Sequence, residues 1–294
     1  MKIGFIGLGN LGAPIARRLM SRGHELVVLD SRSDAMSPFV AQGALAARTP
    51  REVADVAQVV FVCLPSTDAV EEVACGESGV AGGAAVRIFI DLSTSDPERA
   101  QAIAQRLAES SIAMLDSPVS GGVLRAQAGT LTVMVSGAAQ TLSEVRALLD
   151  AIGPVHHLGE RPGSAQVMKL INNLLSAAAF TATAEAMVMG VKAGLDASQM
   201  IEVLNTGTGR NSATQDKFPH AILSRTFHIG AATSVMIKDV SLCMEHAARL
   251  GLKLSLAQPM LDLWGQVAQE QGADSDYSEI VKMLERRAGV EVKA

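Results

Sequence analysis

Aromatic residues and cysteines are both scarce in this chain. Phe, Trp and Tyr together make up 3% of the 294 residues, so the cores must be built from aliphatic side chains. The three cysteines are scattered and odd in number, which excludes a disulfide framework and a zinc site of the usual spacing. This usage is typical of a reducing compartment, and we predict a cytoplasmic protein.

Basic runs and long apolar runs are also missing. The formal net charge is −5, whereas nucleic-acid-binding proteins usually carry a basic face, so no nucleic-acid partner is expected. No uninterrupted apolar stretch reaches the length of about 18 residues that a membrane span needs, so no membrane partner is expected either. The apolar start of the chain contains two glycines and is too short for a signal peptide.

What is present indicates two domains of about 150 residues each. In the first half, short apolar runs alternate with amphipathic stretches, the pattern of a parallel sheet covered by helices. We predict strands at Lys2–Ile6, Glu25–Leu29, Val59–Leu64, Arg87–Asp91, Ala113–Asp116 and Thr130–Val135. The last of these is expected to continue the same sheet.

The pattern changes near residue 160, where glycines and a proline interrupt the chain and no further strand follows. Residues 164–192 predict one long helix with little polar surface, as in a buried spine. Shorter helices are predicted over residues 196–204, 215–223, 235–250, 257–270 and 277–287. We therefore predict a Rossmann-type, doubly wound α/β domain at 1–162 and an all-helical domain at 163–294, whose residues 163–192 form an interdomain helix.

The segment Gly7-Leu8-Gly9-Asn10-Leu11-Gly12 has the G-x-G-x-x-G form of dinucleotide-binding loops. The motif is short, but here it follows a predicted strand and opens a predicted helix, which is the context in which it binds phosphate. Gly7 would permit the tight turn, Gly9 the close approach of a pyrophosphate, and Gly12 the packing of helix on strand. The alternative is a glycine-rich turn that binds nothing.

Asp30 ends the second predicted strand, 18 positions beyond Gly12. An acidic residue there can accept hydrogen bonds from the adenine ribose and repels a 2′-phosphate, which favours NAD over NADP. Arg32 leaves NADP possible, because an arginine at this place could hold the phosphate, stack on adenine or face solvent.

Two more loops follow predicted strand ends, where sheets of this kind bind ligands. The first contains Leu64 and Pro65, and the second runs through Thr94. In the second loop Ser95 or Asp96 is expected to cap the next helix, which leaves Thr94 to face the cofactor.

The loop from residue 116 to 122 ends in Ser120, Gly121 and Gly122. These residues can expose consecutive backbone N–H groups that suit a carboxylate, although a plain tight turn explains them equally well. On the long helix, Lys169, Asn172 and Asn173 share one face. They could be a polar cluster that only fixes packing; because such groups are costly to bury, we favour a functional role.

Four segments resemble, in order and spacing, the 3-hydroxyisobutyrate dehydrogenase family of β-hydroxyacid dehydrogenases. They are residues 4–12, 116–122, 163–173 and Lys238-Asp239, and the resemblance covers essentially the whole chain. It implies that Lys169 is the catalytic general acid/base, that Asn173 orients the substrate, and that residues 120–122 bind its carboxylate. It also implies that Thr94, Lys238 and the segment around Leu64 border the nicotinamide.

The expected site follows from motif and resemblance together. The cofactor-binding residues would be Gly7, Gly9, Asn10, Leu11, Gly12, Asp30, Arg32, Leu64, Pro65, Thr94 and Lys238. The substrate-binding residues would be Ser120, Gly121, Gly122, Asn172 and Asn173. A free lysine has a pKa of about 10.4, so burial and the nicotinamide charge are expected to make Lys169 a usable base. No metal is expected, and His156-His157 is interpreted as a structural or solvent-facing pair in a loop.

The implied reaction is hydride transfer between NAD, or NADP, and a short 3-hydroxy acid or its semialdehyde. Tartronate semialdehyde or glyoxylate reductases and threonate dehydrogenases are alternatives, because the polar stretch of residues 205–211 is expected to enter the pocket. Gly121 stands where sulfolactaldehyde reductases carry arginine, which favours a carboxylate substrate. A catalytically silent NAD(P)-binding sensor or scaffold is the alternative from another class. The resemblance also implies a homodimer or homotetramer.

Overall fold

A computed structural model describes all 294 residues, which form two compact units, Met1–Lys169 and Leu170–Ala294. The division falls inside one continuous helix, Ser164–Lys192. The first turn of that helix belongs to unit 1, because the backbone N–H groups of Ala165 and Gln166 donate to side chains of that unit.

Unit 1 contains a six-stranded parallel sheet. Its strands are β1 Lys2–Ile6, β2 Glu25–Leu29, β3 Leu45–Ala46, β4 Val59–Val62, β5 Ile88–Asp91 and β6 Ala113–Asp116. The order across the sheet is β3-β2-β1-β4-β5-β6, which is the doubly wound order of a Rossmann domain. The predicted fold class is confirmed.

Helices cover both faces of this sheet, and the strands are accordingly apolar on both sides. The helices of unit 1 are α1 Gly12–Ser21, α2 Ser33–Val40, α3 Pro50–Ala54, α4 Thr67–Cys75, α5 Pro97–Glu109, α6 Gly122–Ala128 and α7 Ala139–Asp150, with a 3₁₀ turn at Val80–Gly82. Phe5 and Phe61 stack at 6.0 Å between ring centroids in one core. Ile6 and Val62 lie in the other.

A second, three-stranded sheet corrects two predictions. It contains β7 Val119–Ser120, β8 Thr132–Val135 and β9 Val155–His157 in the order β7-β8-β9. The prediction that Thr130–Val135 continues the main sheet is wrong, because β8 pairs antiparallel with β7 and parallel with β9. The histidine pair lies in β9 rather than in a loop, and His157 Nε2 is 2.9 Å from the carbonyl oxygen of Gly137.

The regular elements of unit 2 are all helices. The long helix α8, Ser164–Lys192, runs into it, and α9 Ala197–Thr206, α10 Thr233–Arg249, α11 Ala257–Gln271 and α12 Glu279–Ala288 follow. The predicted helix near residue 215 is a π-helix, Ala213–Ile222. The core contains the single tryptophan, Trp264, whose indole donates to Thr181 Oγ1 at 3.0 Å.

The prediction of α8 as a buried spine is wrong. Leu175 is 65% exposed and Met189 is 70% exposed, and only 39% of its most apolar 18-residue window is buried. Its length and its mean hydropathy of 1.5 would allow it to cross a membrane. One such helix is weak evidence, because core helices of soluble proteins meet the same criteria.

Candidate active site

The glycine loop between β1 and α1 is shaped by two close approaches. Gly7 has φ +94°, a conformation that side chains rarely adopt, and a Cβ there would overlap the carbonyl oxygen of Cys63. A Cβ on Gly12 would overlap the carbonyl oxygen of Gly7, so the start of α1 packs directly on the turn. Both positions require the absence of a side chain.

Gly9, in contrast, faces open space, and no atom lies within 4 Å of where its Cβ would be. The N-terminus of α1 beside it has no side-chain cap and no acidic residue in its first turn. Uncapped N–H groups and the positive end of the helix dipole suit a phosphate. The residues present therefore fit a dinucleotide pyrophosphate.

Asp30 connects the end of β2 to this loop. Its carboxylate accepts the N–H of Leu8 at 2.7 Å and the N–H of Arg32 at 2.9 Å, and the Arg32 guanidinium lies 3.5 Å away. The Asp30 side chain is 9% exposed, whereas Arg32 is 62% exposed. The carboxylate is thus held beside the glycine loop with its charge partly balanced by Arg32.

Ser93 and Asp96 organise the loops that contain Leu64 and Thr94. Ser93 Oγ accepts the N–H of Leu64 at 2.9 Å, which joins the two loops. Asp96 Oδ1 accepts two backbone N–H groups in the first turn of α5, each at 3.0 Å. Of the two residues predicted as possible caps, Ser95 and Asp96, it is therefore Asp96 that caps this helix. Thr94 is half-buried between these residues.

Asp91 is a buried carboxylate at the end of β5. It accepts the N–H of Ser93 at 2.8 Å and the hydroxyl of Ser95 at 3.0 Å. Burial raises the pKa of Asp91 to about 6; the bonds from Ser93 and Ser95 oppose this shift, and the charge of Asp116 adds to it. Asp91 therefore binds a proton far more readily than a carboxyl in water.

Asp116, at the end of β6, anchors the start of α8. Its Oδ1 accepts the Ser136 hydroxyl at 2.6 Å and the N–H of Gly163 at 3.1 Å, and its Oδ2 accepts the N–H of Gln166 at 3.2 Å. Burial raises the pKa of Asp116, and these bonds oppose the shift. The carboxylate acts as a cap supplied from a distant strand.

Gln166 makes a second connection between the helix and the sheet. Its Oε1 accepts the N–H of Ser95 at 2.9 Å, and its Nε2 donates to the carbonyl oxygen of Ser93 at 3.0 Å. The side chain is fully buried. Lys169 follows three residues later on the helix and is 9% exposed. The turn that precedes it is fixed to the sheet twice, through Asp116 and through the Gln166 side chain. Neither Asp116 nor Gln166 is evident as an anchor from the sequence, because their partners lie far away along the chain.

The serine–glycine loop between β7 and α6 contains two consecutive glycines with positive φ. Gly121 has φ +136° and Gly122 has φ +74°. A Cβ on Gly121 would also crowd the side chain of Arg125. Both glycines are exposed, and Ser120 in β7 is half-buried.

In unit 2, Asp239 lies next to three of the predicted site residues, either directly or through Asn173. Asn173 Nδ2 donates to Asp239 Oδ2 at 2.5 Å, and Asn172 Nδ2 donates to Asn173 Oδ1 at 3.0 Å. Lys238 Nζ lies 3.1 Å from Asp239 Oδ1, and Asp239 itself is 2% exposed. Asp239 was quoted as part of a motif but not predicted as a site residue; its charge within an apolar helical stretch was the available signal.

The polar stretch of residues 205–211 largely bonds to its own unit. Asn205 Nδ2 donates to the carbonyl oxygen of Thr214 at 3.0 Å. Asn211 Oδ1 accepts the N–H of Ala213 at 2.8 Å, and its Nδ2 contacts Thr183 Oγ1 at 3.2 Å. These two asparagines fix the N-terminal end of the π-helix. Arg210 is exposed.

Comparison with known proteins agrees with this geometry. Residues 2–159 match the family described as the NAD-binding domain of 6-phosphogluconate dehydrogenase. Residues 163–284 match the family described as NAD-binding of NADP-dependent 3-hydroxyisobutyrate dehydrogenase. Fold and matches together define an NAD(P)-binding oxidoreductase.

Full-length relatives narrow this class. The chain is 36% identical to NAD-dependent L-serine dehydrogenase of Pseudomonas aeruginosa, covering 98% of this chain and 99% of that protein. It is 34% identical to 2-(hydroxymethyl)glutarate dehydrogenase of Eubacterium barkeri, covering 99% and 97%. The structure of Mycobacterium tuberculosis 3-hydroxyisobutyrate dehydrogenase with L-serine superimposes with a TM-score of 0.86 at 32% identity, covering 96% and 98%.

The chain belongs to the 3-hydroxyisobutyrate dehydrogenase family of β-hydroxyacid dehydrogenases. It is therefore an NAD(P)-dependent hydroxyacid dehydrogenase.

Proposed function

We propose that this chain oxidises the hydroxymethyl group of a short 3-hydroxy acid to the aldehyde, with Lys169 as the general acid/base. The placement of Lys169 carries the proposal: it is 9% exposed and lies one helical turn beyond the segment that Asp116 and Gln166 fix to the sheet. A nearly buried lysine on a fixed backbone can hold and release a proton at a defined point.

The dinucleotide would be held by the glycine loop and the neighbouring strand ends. The residues proposed to contact it are Gly7, Gly9, Asn10, Leu11, Gly12, Asp30, Arg32, Leu64, Pro65, Thr94 and Lys238. When bound, the nicotinamide accepts or returns a hydride. The carboxylate of Asp30 beside the loop favours a ribose with free hydroxyls, so NAD is the proposed cofactor.

Lys169 carries the proton of the reaction. In the oxidation direction its neutral amine takes the hydroxyl proton as the C–H hydrogen leaves with its electron pair, and the oxygen lone pair completes the carbonyl. In the reduction direction its ammonium returns that proton to the oxygen. No metal is needed in this scheme, because the lysine itself polarises the oxygen.

The chemical group that the site is proposed to recognise is inferred from the relatives' substrates and from the serine–glycine loop. 2-(Hydroxymethyl)glutarate, L-serine and 3-hydroxyisobutyrate share a hydroxymethyl group on the carbon that bears the carboxylate, and they differ in the third substituent. We assign the shared carboxylate to Ser120, Gly121 and Gly122. We assign Asn172 and Asn173 to the orientation of the substrate, because the bond to Asp239 fixes the Asn173 amide.

We further propose a cytoplasmic homo-oligomer. The three cysteines carry free thiols, as in a reducing compartment. Ile171, Leu175 and Met189 lie on one side of α8 and are 43%, 65% and 70% exposed, a stripe that a second copy of the chain would bury. Light scattering of Leu175→Glu should show a smaller particle than the unchanged chain; equal masses would refute this stripe as the interface.

The substitution Lys169→Met tests the proposed function directly. It keeps a side chain of similar length but removes the amine that exchanges the proton. The kcat/KM for 3-hydroxyisobutyrate and L-serine should therefore fall by about 10³-fold or more. The appearance of reduced nicotinamide is measured for both acids with NAD and NADP, and calorimetry measures whether NAD still binds.

The matched control is Lys282→Met, which changes a lysine that pairs with Glu279 at 2.7 Å. This variant should keep the activity of the unchanged chain. Substantial turnover by Lys169→Met would remove the lysine from the mechanism. If the unchanged chain binds NAD but oxidises no 3-hydroxy acid, the proposed substrate class is wrong.

A further inference from the structure

Lys217 is a partly buried cation that the proposed reaction does not use. It lies in the π-helix Ala213–Ile222. π-Helices are rare in proteins, and those that occur are often at functional sites. Its Nζ donates to Ser176 Oγ at 2.8 Å and lies 5.5 Å and 5.4 Å from the ring centroids of Phe180 and Tyr277. The ammonium is therefore held between a hydroxyl and two aromatic rings.

This cation has no carboxylate at ion-pair distance. Asp216, the acidic residue next to it, is 71% exposed and lies 3.8 Å from His220 instead. Burial lowers the pKa of Lys217 to about 8, although the charge of Asp216 opposes the shift. An ammonium held in partly apolar surroundings without an anion is unfavourable, and a bound anion would relieve that cost.

The position of Ser176 relates Lys217 to the proposed substrate residues. Ser176 follows Asn173 by three residues on α8, so the two side chains share one face of the helix and are separated by a rise of about 4.5 Å. Lys217 thus extends the polar face of Asn173 by roughly one turn. A rise of this size is comparable with the span of a short chain of two methylene groups.

We propose that Lys217 and Ser176 form a subsite for a second carboxylate, so that the preferred substrate is a 3-hydroxy acid with a carboxylate on its third substituent. This inference rests on the proposed function, since it names the substituent that the same site accepts. The Nζ of Lys217 and the hydroxyl of Ser176 each donate to one carboxylate oxygen. One lysine and one hydroxyl match a carboxylate of single charge better than a phosphate, which usually gathers several cationic groups.

Two substrates that differ only in the second charge provide the test. 2-(Hydroxymethyl)glutarate carries the distal carboxylate, and 2-(hydroxymethyl)pentanoate has a methyl group in its place. We expect the unchanged chain to oxidise the diacid with a kcat/KM at least tenfold higher, chiefly through a lower KM. In Lys217→Met that ratio should fall to about one. Lys282→Met is the control and should keep the ratio of the unchanged chain.

Binding without turnover gives a second readout. Trp264 lies 6.0 Å from Tyr277 and 6.2 Å from Phe180 between ring centroids, next to the rings that Lys217 contacts. It is the single tryptophan of the chain, so no other indole contributes to its fluorescence. Glutarate should change its fluorescence saturably in the unchanged chain and in Lys282→Met, whereas butyrate should bind at least tenfold more weakly. Lys217→Met should lose the response to glutarate.

The outcomes separate the two proposals. If both acids are oxidised equally well by the unchanged chain, the subsite is wrong and the proposed function stands. If neither acid is oxidised, the proposed function is wrong, and the titration with glutarate decides the subsite by itself. A response that is equally strong in Lys217→Met, or no response in the unchanged chain, overturns the subsite.

Discussion

The two units treat a buried charge in opposite ways. In unit 1, Asp116 accepts three hydrogen bonds, two of them from backbone N–H groups, so its lone pairs are largely used. In unit 2, Lys217 has one hydroxyl and two rings as neighbours and keeps donors to spare. A buried charge whose bonding capacity is filled by backbone groups stabilises the fold, whereas a charge with bonding capacity left can bind a ligand.

The same contrast appears on a smaller scale between two aspartates of unit 1. Asp91 accepts one backbone N–H and one hydroxyl, and a hydroxyl can also accept a bond. Each oxygen of Asp116 faces a backbone N–H, which can only donate. An amide in place of the carboxylate is therefore tolerated at Asp91 but not at Asp116.

The largest expected effect is that of Asp116→Asn. Either orientation of the amide places its NH₂ against a backbone N–H, so two donors meet and one bond is lost. We expect the free energy of unfolding to fall by about 2–3 kcal/mol, as measured by urea denaturation. An unchanged stability would show that Asp116 is not the anchor of α8.

Replacement of the second anchor, Gln166→Leu, should lower catalysis in addition to stability, because two buried backbone groups lose their partner. The side chain is of similar size, but it cannot bond to the backbone of Ser93 and Ser95, and the turn before Lys169 loses its fixed position. A small misplacement of a reacting group can reduce kcat by up to about 10²-fold. Steady-state kinetics should show a lower kcat with a nearly unchanged KM; a loss confined to KM would contradict a positioning role.

Asp91→Asn, in contrast to Asp116→Asn, is expected to raise the free energy of unfolding at neutral pH. Burial raises the folded-state pKa of Asp91 from 3.8 to about 6, so the folded protein holds a proton that the unfolded chain releases. Its contribution to stability is greatest below about pH 4 and is lost as the pH rises through 6. At neutral pH the amide should therefore stabilise the fold by on the order of 1–2 kcal/mol.

The pH dependence provides the control for Asp91. The stability difference between Asp91→Asn and the unchanged chain should be largest above pH 6 and should shrink toward pH 4, because both forms are then neutral. Thermal unfolding across this range measures it. A constant difference would mean that the amide acts through packing and not through charge.

The smallest effect concerns the pH profile of Lys217. Its ammonium loses its proton as the pH rises through about 8, so the preference for the diacid over the matched monoacid should decline above that pH. Tyr277 stays neutral, because burial raises the pKa of its phenol. Lys217→Arg should keep the preference at higher pH, since a guanidinium does not titrate there.

Regular elements with strong apolar patterns were predictable from the sequence. Lys2–Ile6 and Glu25–Leu29 have the predicted bounds because each is an apolar run that ends at a glycine or an aspartate. The strands at Val119–Ser120 and Val155–His157 were missed, since two or three residues carry no periodicity.

The candidate site was predictable only in part, for a related reason. The glycine loop and Lys169 lie in local motifs, so their neighbours in sequence indicate their chemistry. Asp116 and Gln166 are 50 residues apart, and Lys217 and Ser176 are 41 residues apart. No local pattern marks such pairs, because only the folded chain brings them together.

The anchoring of α8 by Asp116 also bears on the order in which the protein folds during synthesis. The start of this helix is bonded to β6 and to Ser136, which leave the ribosome before it does. A chain arrested after about residue 170 would therefore already contain every partner of this junction. Unit 1 therefore supplies a completed template on which the helix can be nucleated while the helical half is still being synthesised.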